Sequence, residues 1–407
     1  MSDQKTAVKA DIASIIKNNI RSYTMFIILF LIMIVFGFLT KWINFGSRNI
    51  TYIFIQYSYV LILATGMVQV MIVQGIDLSV GSICAFIGAI SVMLYNVGVG
   101  MPVALLTALV LGLAIGAFHG VWVAYAGMPA FVVTLAGMLL FRGLTYIITN
   151  VSPVTPHDDG YKQIASGMVN IPGLEIHNVA IFGQQVETVY LTAILAGIIV
   201  IVLFIISEII SRQNKIKNNF DVTPPLAFVG KIVLISVLIL FFCERFATYR
   251  GLPSVVVVLG ITVMAFHFVL KNTVLGRYIY AVGGNPRSAK LSGINSEQVV
   301  FIVFCIAGFL TGLAAVVSTG YMNSALPQAG NLFEMDAIAA CYIGGVSASG
   351  GIGTVVGVIV GGLVMSAINN GMSLMNLGQH YQYVVKAMIV LLAVFYDVYS
   401  RRKAGLG

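Results

Sequence analysis

The chain has 407 residues, 59% of them hydrophobic and only 9% charged, with a mean hydropathy of +0.99. Soluble domains are about half apolar and about a quarter charged, so a water-soluble globular fold is excluded. The formal charge of +8 does not call for a nucleic-acid partner, because the positions of the basic residues explain it as a topological signal.

Residues 1–23 carry mixed charge, and no small-residue cleavage site follows the first apolar run, which predicts a retained helix and not a removed signal peptide. Apolar segments then lie near 24–40, 51–73, 78–98, 102–126, 130–149, 189–207, 229–246, 253–270, 298–319, 333–347, 353–373 and 382–400. Runs of about 17–25 apolar residues span the roughly 30 Å hydrocarbon core as helices. Only helices or closed barrels satisfy the backbone there, so the sequence predicts an all-α polytopic membrane protein. The run 333–347 is short and is expected not to cross fully.

Orientation follows the lysines and arginines. With the N-terminus inside, most of the 22 fall in the cytoplasm: Lys5, Lys9, Lys17, Arg21, Arg212, Lys215, Lys217, Lys231, Lys271, Arg277, Arg287, Lys290, Arg401, Arg402 and Lys403. Lys41, Arg48, Lys162, Arg245 and Arg250 fall outside, which predicts an N-in, C-in chain with an even number of crossings.

Two long polar interruptions divide the chain. A first membrane half, 24–207, contains an extracytoplasmic loop at 150–188, and a basic cytoplasmic linker at 208–228 leads to a second half at 229–400 and a tail at 401–407. Halves of this kind suggest a duplicated transporter body. "GMPAFVVTL" (127–135) and "GLPSVVVVL" (251–259) are a thin trace of repetition. "GLAIGAFHG" (112–120) and "GGIGTVVGVIVGG" (350–362) space small residues about four apart, as close helix packing in lipid requires. Cys84, Cys243, Cys305 and Cys341 stand singly, without metal or redox spacing, so no metal site is expected.

The stretch "AVGGNPRSAKLSGIN" (281–295) interrupts two apolar segments with a helix that has its own start and stop. Asn285 suits the N-cap, Pro286 the first helical position and Gly293 the left-handed residue after the last turn. Arg287 and Lys290 share a face, and Ala289, Leu291 and Ile294 supply apolar surface. Such a helix either transmits force from a soluble partner or rests on lipid headgroups.

"GRYIYAVGGNPRSAKLSGI" (276–294), "GIDLSVGS" (75–82), "MPAFVVTLAGMLLFRG" (128–143) and "FEMDAIAACYIGGVSASGGIGT" (333–354) resemble the signature segments of monosaccharide ABC-importer permeases, the ribose, xylose and galactose group. "YRGLPSV" (249–255), "NNGMS" (369–373) and the long insertions are most similar to the xylose and multiple-monosaccharide branch. Gln74 and His119 depart from the family pattern. The resemblance implies a vitamin B12 importer-like permease fold of roughly ten to twelve helices in the bacterial inner membrane. It implies a homodimer, cytoplasmic ATP-binding subunits docking on the helix near 285–293, and a periplasmic or extracellular sugar-binding protein. The chain itself would be non-catalytic and bind no cofactor, ATP and magnesium being used by the partner subunits.

Several polar residues are candidates for the translocation path. Asp77 is expected to N-cap the next helix, and Glu334, three residues after Asn331, to complete a capping box with Asp336 in the same first turn. Ionisable groups inside a membrane are also functional candidates. Gln69, Gln74, Asn369 and Asn370 carry neutral amides that match sugar hydroxyls or bond between helices. Arg142 and Lys386, near segment ends, are expected to snorkel outward, and His119 and His267 to be packed histidines. No G-x-x-x-x-G-K-[ST] loop is present, so energy must come from a partner or an ion gradient. An ion-coupled secondary sugar transporter using Asp77 and Glu334, or a passive channel, remains the alternative.

Overall fold

The computed structural model describes residues 12–181, 184–220, 222 and 224–403. Parts of the segments 1–23 and 401–407 therefore lie outside the described residues, as do Lys5 and Lys9 and the side chains of Lys17, Arg21, Arg401, Arg402 and Lys403. The chain divides into two compact units.

One unit is built on residues 168–252, with the described residues 12–24 and the piece at 46–51. It contains β1 (Met168–Val169), β2 (Glu175–Ile181), β3 (Gln184–Tyr190), α7 (Leu191–Lys217), α8 (Pro225–Ala247) and the start of β4 (Leu252–Pro253). β2 and β3 form an antiparallel hairpin with Glu175 opposite Tyr190 and Val179 opposite Val186. The alternation in "EIHNVAI" and "QQVETVY" carries that signal, although no strand was expected in the 150–188 loop. α7 and α8 pack on each other, Gly197 meeting Cys243, and expose isoleucine, leucine and valine on their remaining faces, as a hairpin solvated by lipid must.

The other unit comprises, among the described residues, 25–45, 52–167 and 253–403. Its helices are most of α1 (Ile12–Leu39) and α2 (Ser47–Ile72), then α3 (Val80–Leu94), α4 (Met101–Gly120), α5 (Ala130–Thr149), α6 (Gln163–Ser166), α9 (Ser254–Asn272), α10 (Val274–Gly284), α11 (Pro286–Leu291), α12 (Ser296–Met322), α13 (Phe333–Ile343), α14 (Val355–Leu374) and α15 (Gln379–Lys403). The core lies along α2, α12 and α14, most of whose valines, alanines and leucines are buried, Val356 and Leu374 of α14 being exposed. α4 crosses α12 with glycine against glycine: a β-carbon at Gly308 would fall 2.7 Å from Gly116 Cα.

Among the described residues, nine helices are long and apolar enough to cross a membrane, and two shorter apolar helices run Met25–Leu39 and Gln379–Phe395. This is an all-α polytopic membrane protein. α13 has 11 residues, and at about 1.5 Å per residue it covers only about half of the hydrocarbon core. It turns back antiparallel onto α14, with Gly344 against Gly357 and Ala340 against Gly361.

The segment 153–167 is folded as a strap over the neighbouring helix ends. Val154 bridges Ala325, Asn96 Nδ2 donates to Thr155 O (2.8 Å), and Ser254 Oγ donates to Ile164 O (3.1 Å). Tyr161 is fully buried and donates to Ser91 Oγ, and burial pushes its phenol well above the ordinary range. Asp158 accepts from the Tyr95 hydroxyl (2.6 Å) and the Gly160 amide (2.7 Å), which hold its carboxyl below the usual range. A depressed folded pKa gives a contribution that is present above the ordinary carboxylate pKa of about 4 and is lost as pH falls through the folded value. The protection factor of the Gly160 amide, its exchange rate relative to the intrinsic rate at the same pH, is therefore expected to fall on acidification in the wild type. In Tyr95→Phe it is expected to be low already at neutral pH. Equal protection in the two chains at neutral pH would remove the Tyr95 latch.

Candidate functional site

α11 is the best-defined polar feature of its unit. The Asn285 carboxamide accepts from Ser288 N (3.0 Å), Pro286 occupies the first turn, and Gly293 adopts φ +85° just beyond the helix. The side chains divide cleanly. Ala289 is buried, Asn285, Pro286 and Arg287 are exposed, and Leu291 is 91% exposed, an apolar side chain held out from a short rigid helix. Lys290 does not stand beside Arg287 as an open pair, because its Nζ lies 2.8 Å from Glu297 Oε1 at the start of α12.

The helix rests on a platform made largely of backbone. Gly283 presses on the Ile72 carbonyl, which also accepts from Gly351 N (2.9 Å). Gln74, in a left-handed conformation (φ 65°), donates from Nε2 to Gly283 O (2.9 Å). Tyr280 donates to Gly353 O (2.7 Å), and burial raises its phenol pKa. The ends of α2, α10 and the loop before α14 are thus tied at the base of α11. Beside it opens a cleft of about 480 Å³ lined by Gln74, Val123, Val282, Pro286, Glu297 and Phe304.

The remaining candidate residues lie deeper. Asp77 is not the N-cap of α3; Ser79 is, and two residues upstream Asp77 Oδ1 instead accepts from Ser79 N (2.8 Å) and Ser79 Oγ (2.5 Å) as an Asx turn. Ser79 Oγ lies 3.5 Å from Nδ1 of His119, which is buried against Gly137 and edge-on to Phe141. The Asn331 capping box is also absent. The N-cap of α13 is Leu332 at φ 65°, because Gly330 (φ +74°) is jammed against the backbone of Gly81 and the chain must turn left-handed to start the helix. Glu334 and Asp336 are buried in that first turn.

Arg142 and Lys386 turn inward instead of snorkelling. Arg142 donates to Ala329 O (2.5 Å) in the loop before α13, and Lys386 Nζ lies 2.8 Å from Asp336 Oδ1. The short helix leaves carbonyls and a carboxylate inside the protein, and these hold the two long cations there. Gln69 donates to Thr65 O (3.2 Å), Asn369 is 1% exposed, and Asn370 sits beside it in α14.

Residues 49–394 match the family described as the branched-chain amino acid transport system permease component. The chain belongs to this permease family. The permease is similar to the xylose transport system permease protein of Escherichia coli K12, with 35% identity over 388 residues covering 95% of this chain and 94% of the relative. The xylose transport system permease protein of Haemophilus influenzae is 36% identical over 388 residues, covering 95% and 98%. The ribose import permease protein of E. coli K12 is 35% identical over 353 residues, covering 87% and 86%. No solved structure matches the permease. It is a multi-pass protein of the inner membrane.

Sequence reasoning found α11 in the permease because its caps are local. It missed the roles of Tyr280 and Lys386, whose partners lie far away in the chain. An aromatic or basic residue facing a glycine-rich helix start was the available signal.

Proposed function

We propose that the permease is the membrane-spanning subunit of an ATP-driven importer of monosaccharides, pairing with a second copy of itself. Cytoplasmic ATP-binding subunits grip α11, using ATP and magnesium, and an extracytoplasmic sugar-binding protein delivers cargo to the opposite face. The similarity to xylose and ribose permeases supports a sugar as cargo. The observation that carries the coupling role is Leu291, 91% exposed on a capped helix whose base is bonded to the ends of α2 and α10. Leu291 is an apolar side chain that the chain itself leaves uncovered, surface that a docked subunit would bury. ATP binding on the partner then moves α11, and the platform passes the movement to helices flanking the path. Gln69, Asp77, Glu334, Asp336, Asn369 and Asn370 border that path in this reading.

The test is uptake of radiolabelled pentoses and hexoses by proteoliposomes holding the permease with and without its two partners. Uptake is expected to require both partners and ATP. Uptake by the permease alone that collapses with an ionophore would replace this reading by ion-coupled transport. Leu291→Asp is expected to cut co-purification of the ATP-binding subunit about tenfold, since burying an unpaired charge costs more than one decade of affinity. Undiminished co-purification would remove α11 as the docking element.

A further inference from the structure

Between α2, α13, α14 and α15 lies a polar cluster that the coupling platform does not use. Lys386 Nζ straddles the Asp336 carboxylate, 2.8 Å from Oδ1 and 3.0 Å from Oδ2, both side chains largely buried. Asp336 stands in the first turn of α13, a helix that begins inside the protein at a left-handed Leu332 with no side-chain cap. The Tyr57 hydroxyl approaches the Asn369 carboxamide. Tyr59 packs on Phe333 with ring centroids 4.4 Å apart and the rings tilted by 37°, walling one side.

Asn369 is the anomaly in this cluster. Its side chain is buried, yet neither its amide oxygen nor its amide nitrogen closes a hydrogen bond of proper geometry. A carboxamide kept only for helix association would have closed its bonds on the facing helix, yet the group that approaches it there, the Tyr57 hydroxyl of α2, leaves it unsatisfied. An amide held open beside a phenol and a compensated ion pair is instead a set of donors and acceptors waiting for a ligand.

We propose that Tyr57, Asn369 and the Asp336–Lys386 pair form a binding station for a neutral polyhydroxylated molecule on its way through the permease. This assignment rests on the importer reading above and adds to it where, and by what chemistry, the cargo is held. The cluster is electrically balanced. A charged cargo would leave one buried charge uncompensated, and a zwitterionic amino acid would have to split the ion pair to bind. A sugar hydroxyl donates and accepts at once, matching the amide oxygen, the amide nitrogen and the phenol without disturbing the pair. The station therefore favours the cargo of the pentose permeases over that suggested by the family's amino-acid description.

The assembled importer, with both partners, is tested in proteoliposomes with D-xylose, D-ribose, D-galactose and L-leucine as probes, reading cargo moved per ATP hydrolysed. Asn369→Leu is expected to lower sugar moved per ATP about tenfold, the cost of leaving buried hydroxyls unpaired. Asn369→Gln is expected to restore most of it, which a purely structural role for the site would not predict. Tyr57→Phe, which removes a single oxygen, is expected to lower the ratio in the same direction and keeps the test open should Asn369→Leu assemble poorly. A wild type that moves sugar while both variants keep its ratio overturns the station but leaves the importer reading standing. A wild type that moves L-leucine and none of the sugars overturns both.

Discussion

Gly308→Val is expected to prevent the permease from reaching a stable folded state in the membrane. In lipid there is little hydrophobic drive between helices, and close van der Waals packing holds them together. α4 and α12 supply that packing through four glycines whose absent side chains leave space on both helices. A β-carbon at Gly308 would collide with the Gly112 carbonyl and sit 2.7 Å from Gly116 Cα. One at Gly112 would lie 3.0 Å from Gly312 Cα, and one at Gly116 3.0 Å from Gly308 Cα. The obstructing atoms are backbone, so no rotamer change can relieve the clash. Overpacking a core costs about 1–3 kcal/mol when side chains can adjust, and about 3 kcal/mol or more is expected here. Thermal unfolding in detergent checks this, with Gly284→Ala as control because nothing lies within 4 Å of its added carbon. A Gly308→Val protein melting within about 1 °C of the wild type would show that the interface yields, since at about 2.1 cal/mol/K per residue the expected loss of about 3 kcal/mol shifts a chain of this length by about 3–4 °C.

The glycine spacing of α4 was legible in the sequence because a small residue every four positions is a local pattern. So were the apolar spans and the caps of α11, each fixed by neighbours within a turn or two. The polar interior was not. Asp77 and the Asn331–Glu334 pair carry the letters of helix caps, but capping rules describe a helix start that is free to choose its geometry. At α13 the contact between Gly330 and Gly81 makes that choice, and the cap falls on Leu332. Snorkelling likewise assumes that the nearest polar partner is the membrane surface. Arg142 and Lys386 meet nearer ones, which exist only because α13 stops half-way. Its shortness was visible in the sequence, but what would fill the space beside it depended on α5 and α15, far away in the chain.

That dependence makes the Asp336–Lys386 pair the second large expected effect. The side chains are 11% and 20% exposed, so neither charge is well served by water. Removing one partner strands the other, and breaking a buried pair typically costs about 3–5 kcal/mol. Lys386→Met and Asp336→Leu are each expected to fall in that range, measured as loss of thermal stability in detergent. The double variant is expected to recover most of the loss, because two apolar side chains of similar bulk desolvate at no electrostatic cost. Recovery would mean that the pair is dispensable for folding, so its presence answers to transport and not to stability. A double variant as unstable as the sum of the singles would mean that the two side chains act separately, and that the balance of charge assigned to this part of α13 does not exist.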